Sequence, residues 1–187
     1  MLRIKIKKTG SYNSSKKYID LIEKASVYDI AINSPITFAP NISQKEKNKI
    51  FLKREDLQPV FSFKNRGAYN KIVNLTSKQK NAGVIAASAG NHAQGVAVSC
   101  KKLKINCLIV MPITTPEIKV KAVKRHGAKV LLHGDNYDAA VKEAKKIAKS
   151  KNFAFVHPFD DKYTIAGQGT IGKEILESDQ ELDVVFV

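Results

Sequence analysis

Acidic residues are scarce in this chain. Its 187 residues carry 17 Asp and Glu against 32 Lys and Arg, a formal net charge of +15. So basic a balance suits nucleic acid or an anionic surface. The other features that nucleic acid needs are missing. Lysines run through the whole chain instead of gathering on one motif, and arginines are few. Aromatics, 7% of residues, do not alternate with basic residues as a base-stacking platform requires. The charge reads as a solvated basic surface, and nucleic acid is not an expected partner. Long apolar runs are lacking too. None approaches the length of a membrane span, so no membrane partner is expected. Cysteine is limited to Cys100 and Cys107, which read as small apolar residues on a helix and a strand. That excludes a disulfide framework and a cysteine zinc site, and makes a reducing cytoplasm the default location. His126, His133 and His157 share no metal-ligand spacing, so no metal is expected. The basic runs Lys5-Ile6-Lys7-Lys8 and Ser14-Ser15-Lys16-Lys17 lack a sustained Arg-rich amphipathic pattern. Residues 1–17 therefore read as a short variable or disordered N-terminus.

What is present is a core. Hydrophobic residues make up 43% of the chain, enough for one large domain or two small ones. Tyr18 to Ile32 reads as a helix that Pro35 ends, and 41–49 as a polar, charged connection. Ile50-Phe51-Leu52 is a short strand leading into a helix over 64–75. A regular alternation follows. Strands are predicted at 84–87, 106–111, 129–132, 153–156 and 184–187. Helices are predicted at 91–103, from near Pro116 to His126, at 137–149 and at 164–176. Gly127 stops one helix, and Asp135 or Asn136 caps the next. Strands alternating with helices imply right-handed βαβ units and a mainly parallel sheet, hence an α/β fold. No internal repeat or low-complexity block interrupts it.

Two stretches carry the chemistry. In Ser62-Phe63-Lys64-Asn65-Arg66-Gly67, one lysine follows a Pro-bearing turn, Gln58-Pro59, and starts a helix. The positive helix end and the neighbouring Arg66 disfavour its charged form. An amine tuned that way suits imine chemistry with a carbonyl cofactor. The bland alternative is one more solvated lysine. In Ser88-Ala89-Gly90-Asn91-His92, small residues lie between a buried strand and a helix. Parallel α/β sheets bind ligands beyond the carboxyl ends of their strands, and a helix start there adds about 0.3–1 kcal/mol for an anion. The alternative is an ordinary tight turn. His92 is a catalytic candidate or a residue that only hydrogen-bonds locally. Gly167-Gln168-Gly169-Thr170-Ile171-Gly172 matches G-x-G-x-x-G literally. The polar segment Asp160-Asp161-Lys162-Tyr163 separates it from any strand, so it reads as close helix packing rather than a dinucleotide site. Asp160 and Asp161 read as loop or cap residues.

The string Lys53-Arg54-Glu55-Asp56-Leu57-Gln58-Pro59-Val60-Phe61-Ser62-Phe63-Lys64-Asn65-Arg66-Gly67-Ala68, followed by Ser88-Ala89-Gly90-Asn91-His92-Ala93-Gln94-Gly95, closely resembles the threonine ammonia-lyases. These are pyridoxal-phosphate enzymes of the tryptophan-synthase-β-like fold (fold type II). The resemblance runs from about Tyr18 to Val187, and the first string looks like the biosynthetic branch. The chain departs at Phe61, where the family pattern has histidine. The resemblance implies two interleaved lobes, a smaller one over about 68–162 and a larger one from 18–67 plus 163–187.

It also implies roles. Lys64 would join pyridoxal 5'-phosphate as an imine. After an amino-acid substrate displaces it, Lys64 would serve as base for the α-proton, giving 2-oxobutanoate and ammonia from threonine, the first step of isoleucine biosynthesis. Asn91 would bond the ring hydroxyl, and Phe63 would form an apolar wall with Ser62 beside it. Ser88, Ala89, Gly90, Asn91 and His92 would hold the substrate carboxylate. A homo-oligomer is expected for the full-length form. The family's Gly-rich phosphate loop would follow Val187, so a truncated catalytic domain with weak cofactor affinity is expected. A non-catalytic remnant or binding module, or a serine dehydratase or racemase, are the alternatives.

Overall fold

The computed structural model describes residues 12–178 and 180–187. Residues 1–11 of the expected variable N-terminus lie outside that range. From Tyr12 the chain is helical: α1 spans Tyr12–Glu23, earlier at both ends than the helix predicted over 18–32. The segment beyond it leaves the helix because its groups find other partners. The Ser26 N–H donates to Asn70 Oδ1 at 3.0 Å, and Val27 and Ala31 turn into the core.

Strand β1 (Ile36–Phe38) pairs antiparallel with β2 (Phe51–Lys53), Thr37 opposite Leu52. Between them, where a polar connection was predicted, lies helix α2 (Pro40–Glu46). Proline suits its first turn, and among its residues only Ser43 is buried, so no apolar period announced it. A single 3₁₀ turn, Glu55–Leu57, leads to α3 (Lys64–Val73). Helix α4 (Ser77–Ala82) was also not predicted from apolar spacing. It rests on a capping box in which Thr76 and Gln79 satisfy each other's backbone N–H groups.

The predicted alternation then follows: β3 (Val84–Ala87), α5 (Asn91–Leu103), β4 (Cys107–Met111), α6 (Glu117–Arg125), β5 (Lys129–Leu132), α7 (Tyr137–Lys151), β6 (Ala154–Phe155) and α8 (Lys162–Leu176). Asn136 caps α7 and Asp161 caps α8 through their side chains. The four strands form one parallel sheet in the order β5-β4-β3-β6. Val84 and Ala86 enter one core with Val96, Ile109 and Val123. Ile85 and Ala87 enter another with Val110, Ala140 and Ala144. This is the period of two along a strand covered on both faces. Helices α5 and α6 thus cover one face and α7 the other. The sheet grows outward from β3 to β5, then returns to the far side of β3 with β6. The reversal makes a switch point between the carboxyl ends of β3 and β6, where open α/β sheets bind ligands.

Helices α3 and α8 cross at two glycines. A Cβ on Gly167 would lie 2.7 Å from Gly67 Cα and from Arg66 O, so the G-x-G-x-x-G run packs helices, as its spacing from the nearest strand implied. The strand predicted at 184–187 is not formed. A strand exists through its neighbour's hydrogen bonds, and this segment has none among the described residues; Phe186 is 93% exposed.

Candidate active site

Lys64 is the first residue of α3, and its backbone N–H reaches Ser62 Oγ at 3.4 Å. Gly95 sets its distance from the second motif. A Cβ there would stand 2.8 Å from Lys64 O and 3.0 Å from Asn65 N. Without one, α5 packs directly on the Lys64 backbone, and the Ser88–His92 loop at the start of α5 comes with it.

The Lys64 side chain is half-buried. Its ammonium donates to Pro158 O at 3.4 Å and sits 5.0 Å from the centre of the Phe63 ring. Among the described residues it has no carboxylate partner. Several other shielded cations do: Lys53 pairs with Glu174, Arg66 with Glu55 and Glu174, and Lys71 with Asp161, whereas Lys80, away from the two motifs, also donates to a carbonyl, Val73 O. The sequence placed Arg66 beside Lys64 as a charge that tunes it, and the geometry corrects this. Arg66 is fully buried and points away, with Nε and Nη2 on Glu55, Nη1 and Nη2 on Glu174, and further donors on Thr170 Oγ1 and Ile32 O. Burial works against its charge, but the two carboxylates outweigh it and hold the guanidinium proton more tightly than usual. Its charge is spent locally. Glu174 in turn is held below the ordinary carboxylate range: burial opposes this, and hydrogen bonds from Arg66, Lys53 and Tyr28 prevail.

The loop after β3 is open where a ligand would enter. Ser88 Oγ accepts from the Gly90 N–H at 3.2 Å. Gly90 leaves α5 without a side-chain cap; the Ala93 N–H donates to Gly90 O at 3.1 Å, so in the first turn the Asn91 and His92 N–H groups remain available to an anion. A Cβ on Gly90 would meet nothing within 4 Å. Ala89 is half-buried and Asn91 exposed beside this opening. His92 is not at the opening. It is buried, and its Nε2 lies 3.1 Å from Val156 O. A carbonyl only accepts, so Nε2 carries the proton, and Nδ1 is left as a buried acceptor without a donor. Burial pushes the imidazole pKa down to about 4, and the charges of Lys64 and His157 act in the same direction against the Val156 bond.

Phe61 occupies the position where the resemblance expects histidine. It is exposed, in a left-handed backbone conformation with φ of 55°. The polar and ring contacts of Lys64 go to Ser62, Phe63 and Pro158 instead. Ser62 is buried and Phe63 half-exposed beside Lys64. Sequence reasoning missed Glu55 and Glu174 as the partners of Arg66. Glu55 stands within the Lys53–Ala68 string, and Glu174 is the one acid on α8. It also missed Pro158, whose contribution is a backbone carbonyl and has no residue signal. The assembly can take a carbonyl-bearing anionic ligand: an amine without a carboxylate partner, beside uncapped N–H groups, at a sheet switch point.

The family described as pyridoxal-phosphate dependent enzyme matches residues 27–187. The chain is 49% identical over 178 residues to the biosynthetic L-threonine dehydratase IlvA of Pasteurella multocida, covering 95% of this chain and 35% of that protein. Among solved structures, threonine deaminase isoform 2 of Solanum lycopersicum superposes with a TM-score of 0.85 at 45% identity, over 89% of this chain and 46% of the other. Maize serine racemase superposes with a TM-score of 0.81 at 34% identity, over 85% and 49%. The chain thus spans about a third of the length of the dehydratase it matches.

Proposed function

Because the chain belongs to the pyridoxal-phosphate dependent enzymes, we propose that it is the N-terminal part of the catalytic region of an L-threonine ammonia-lyase. In that reading Lys64 joins the cofactor, and 68–162 is the smaller lobe, with 18–67 and 163–187 in the larger. The observation that carries it is Lys64, the half-buried amine left without a carboxylate at the sheet switch point. The residues fit the group: a half-buried amine without a carboxylate partner starts α3, whose Lys64 backbone packs on α5, and α5 opens on a glycine with free space and no side-chain cap. When bound, pyridoxal phosphate supplies a carbonyl for the amino group and an electron sink for charge at the substrate α-carbon.

The chain's own residues do the rest. Ser88, Ala89, Gly90 and Asn91 present backbone and amide donors to the substrate carboxylate, and Asn91 also reaches the cofactor's ring hydroxyl. Phe63 lines the apolar side. The freed Nζ of Lys64 takes the α-proton, the β-hydroxyl leaves as water, and a water molecule then hydrolyses the released 2-aminobut-2-enoate to 2-oxobutanoate and ammonia. This would be the first step toward isoleucine, in a cytoplasmic enzyme that is a homo-oligomer at full length. Serine is the second reading for the substrate, favoured by the high similarity to maize serine racemase.

The test mixes the purified chain with pyridoxal phosphate, follows the absorbance of the lysine adduct, then adds threonine or serine and assays the 2-oxo acid. Wild type is expected to give the band and Lys64→Ala none. A band of equal intensity in the variant would sink the assignment. Faster turnover of serine than threonine would move the substrate reading.

A further inference from the structure

Three successive carbonyls after β6 each receive a side chain from a different helix. Val156 O accepts from His92 Nε2 of α5 at 3.1 Å, His157 O from Thr164 Oγ1 of α8 at 3.3 Å, and Pro158 O from Lys64 Nζ of α3 at 3.4 Å. The same segment is braced from its far side. The His157 ring accepts from the Asp160 N–H at Nδ1, 2.8 Å away, and stacks edge-on against Phe159 at 4.7 Å. Of the three helix contacts, that of His92 is the shortest and, with the imidazole buried, the best shielded from water.

We infer that this segment is a parking site for the free Lys64 amine, and that His92 is a positioning residue that sets it. This rests on the assignment of Lys64 as the cofactor lysine and goes beyond it. A carboxylate at the position of Pro158 would hold Lys64 as an ammonium. A carbonyl accepts one N–H from either the amine or the ammonium. It therefore orients the nitrogen in both states while leaving the lone pair of the neutral amine free to take a proton. When a C–H bond at the substrate breaks, the proton goes to Nζ, and the bond to Pro158 O is kept throughout. The carbonyl must stay in place for this. Thr164 on His157 O and the Val156 N–H on Ile85 O at 2.9 Å help to hold it, and His92 adds the shortest side-chain tether, on Val156 O, from the start of the helix that also carries the substrate loop. His92 thus acts through Val156 and Pro158, with its ring outside the ligand opening.

The experiment uses the 187-residue chain without cofactor. Lys64 is labelled with acetic anhydride at fixed pH, and its rate is read by mass spectrometry against exposed Lys142 in the same molecule. In His92→Phe the donor is lost and a flat, somewhat larger ring takes its place. Lys64 labelling is expected to rise about two- to tenfold, the worth of one ordinary hydrogen bond. In His92→Gln, whose amide reaches the place of Nε2, the rate is expected to return near wild type. Equal rates in all three proteins, or a Gln variant as fast as the Phe variant, would overturn the proposal. Should the Phe variant fail to fold, ¹⁵N NMR of wild-type His92 decides: a neutral ring protonated on Nε2 is expected, and the Nδ1–H form overturns it. Neither readout needs pyridoxal phosphate, so failure here is separable from failure of the lysine adduct.

Discussion

His92 carries a pH signature that can be measured without any ligand. Its pKa in the fold is about 4 against an ordinary 6.5. As pH falls, the unfolded chain takes the proton first, so stability declines from about pH 6.5 down to about pH 4 and is indifferent to this residue above that window. The full decline is on the order of 3 kcal/mol, with roughly 2 of it reached by about pH 5, before most carboxylates protonate. Urea midpoints of wild type are expected to drop between about pH 7 and pH 5, and those of His92→Gln to drop far less. Equal slopes would show that the imidazole titrates normally. At this scale the sequence was most informative for Lys64 and the Ser88–Asn91 loop, because each is a local string whose residue types are themselves the chemistry. It was silent on Pro158 and Val156. Any residue supplies a carbonyl, and only its neighbours give it a task.

The elements that hold the site meet through missing side chains. Gly95 lets α5 lie against the Lys64 backbone, and Gly67 and Gly167 let α8 lie against α3. Gly95→Ala is expected to cost about 1–3 kcal/mol, because the methyl meets rigid backbone rather than a movable side chain. It should also displace Lys64 from the loop. Chemical unfolding measures the first effect, and the fall in pyridoxal phosphate affinity the second. An alanine variant as stable as wild type would mean that the helices slide apart without loss. Periodicity predicted α5, α7 and β3–β5 almost to the residue, since each has a continuous apolar face. It missed α2 and α4, which bury almost no apolar surface and rest on Pro40 and on the Thr76–Gln79 box. It extended α1 too far because the bond from Ser26 N to Asn70 is 44 positions distant in the chain.

Across the whole molecule, one ionic cluster ties the ends together. Arg66 on α3 joins Glu55 beside the antiparallel hairpin to Glu174 on α8, and Glu174 also takes Lys53 and Tyr28. Removing one partner leaves a charge buried and uncompensated. Arg66→Met or Glu174→Gln should each cost about 3–5 kcal/mol in denaturant unfolding. The double variant should cost less than the sum, since the two share one network. Full additivity would show the groups to be independent. The sequence by itself determined the α/β alternation, singled out Lys64 and the Ser88–Asn91 loop as the candidate site, and read Gly167–Gly172 as packing. All of these are written in neighbouring residues. Only the tertiary structure decided where the charge of Arg66 is neutralised, that His92 faces Val156 instead of the opening, and that 184–187 forms no strand. Each of these depends on a partner that the chain brings from far away, or on one that must be present before the hydrogen bonds of a strand can form.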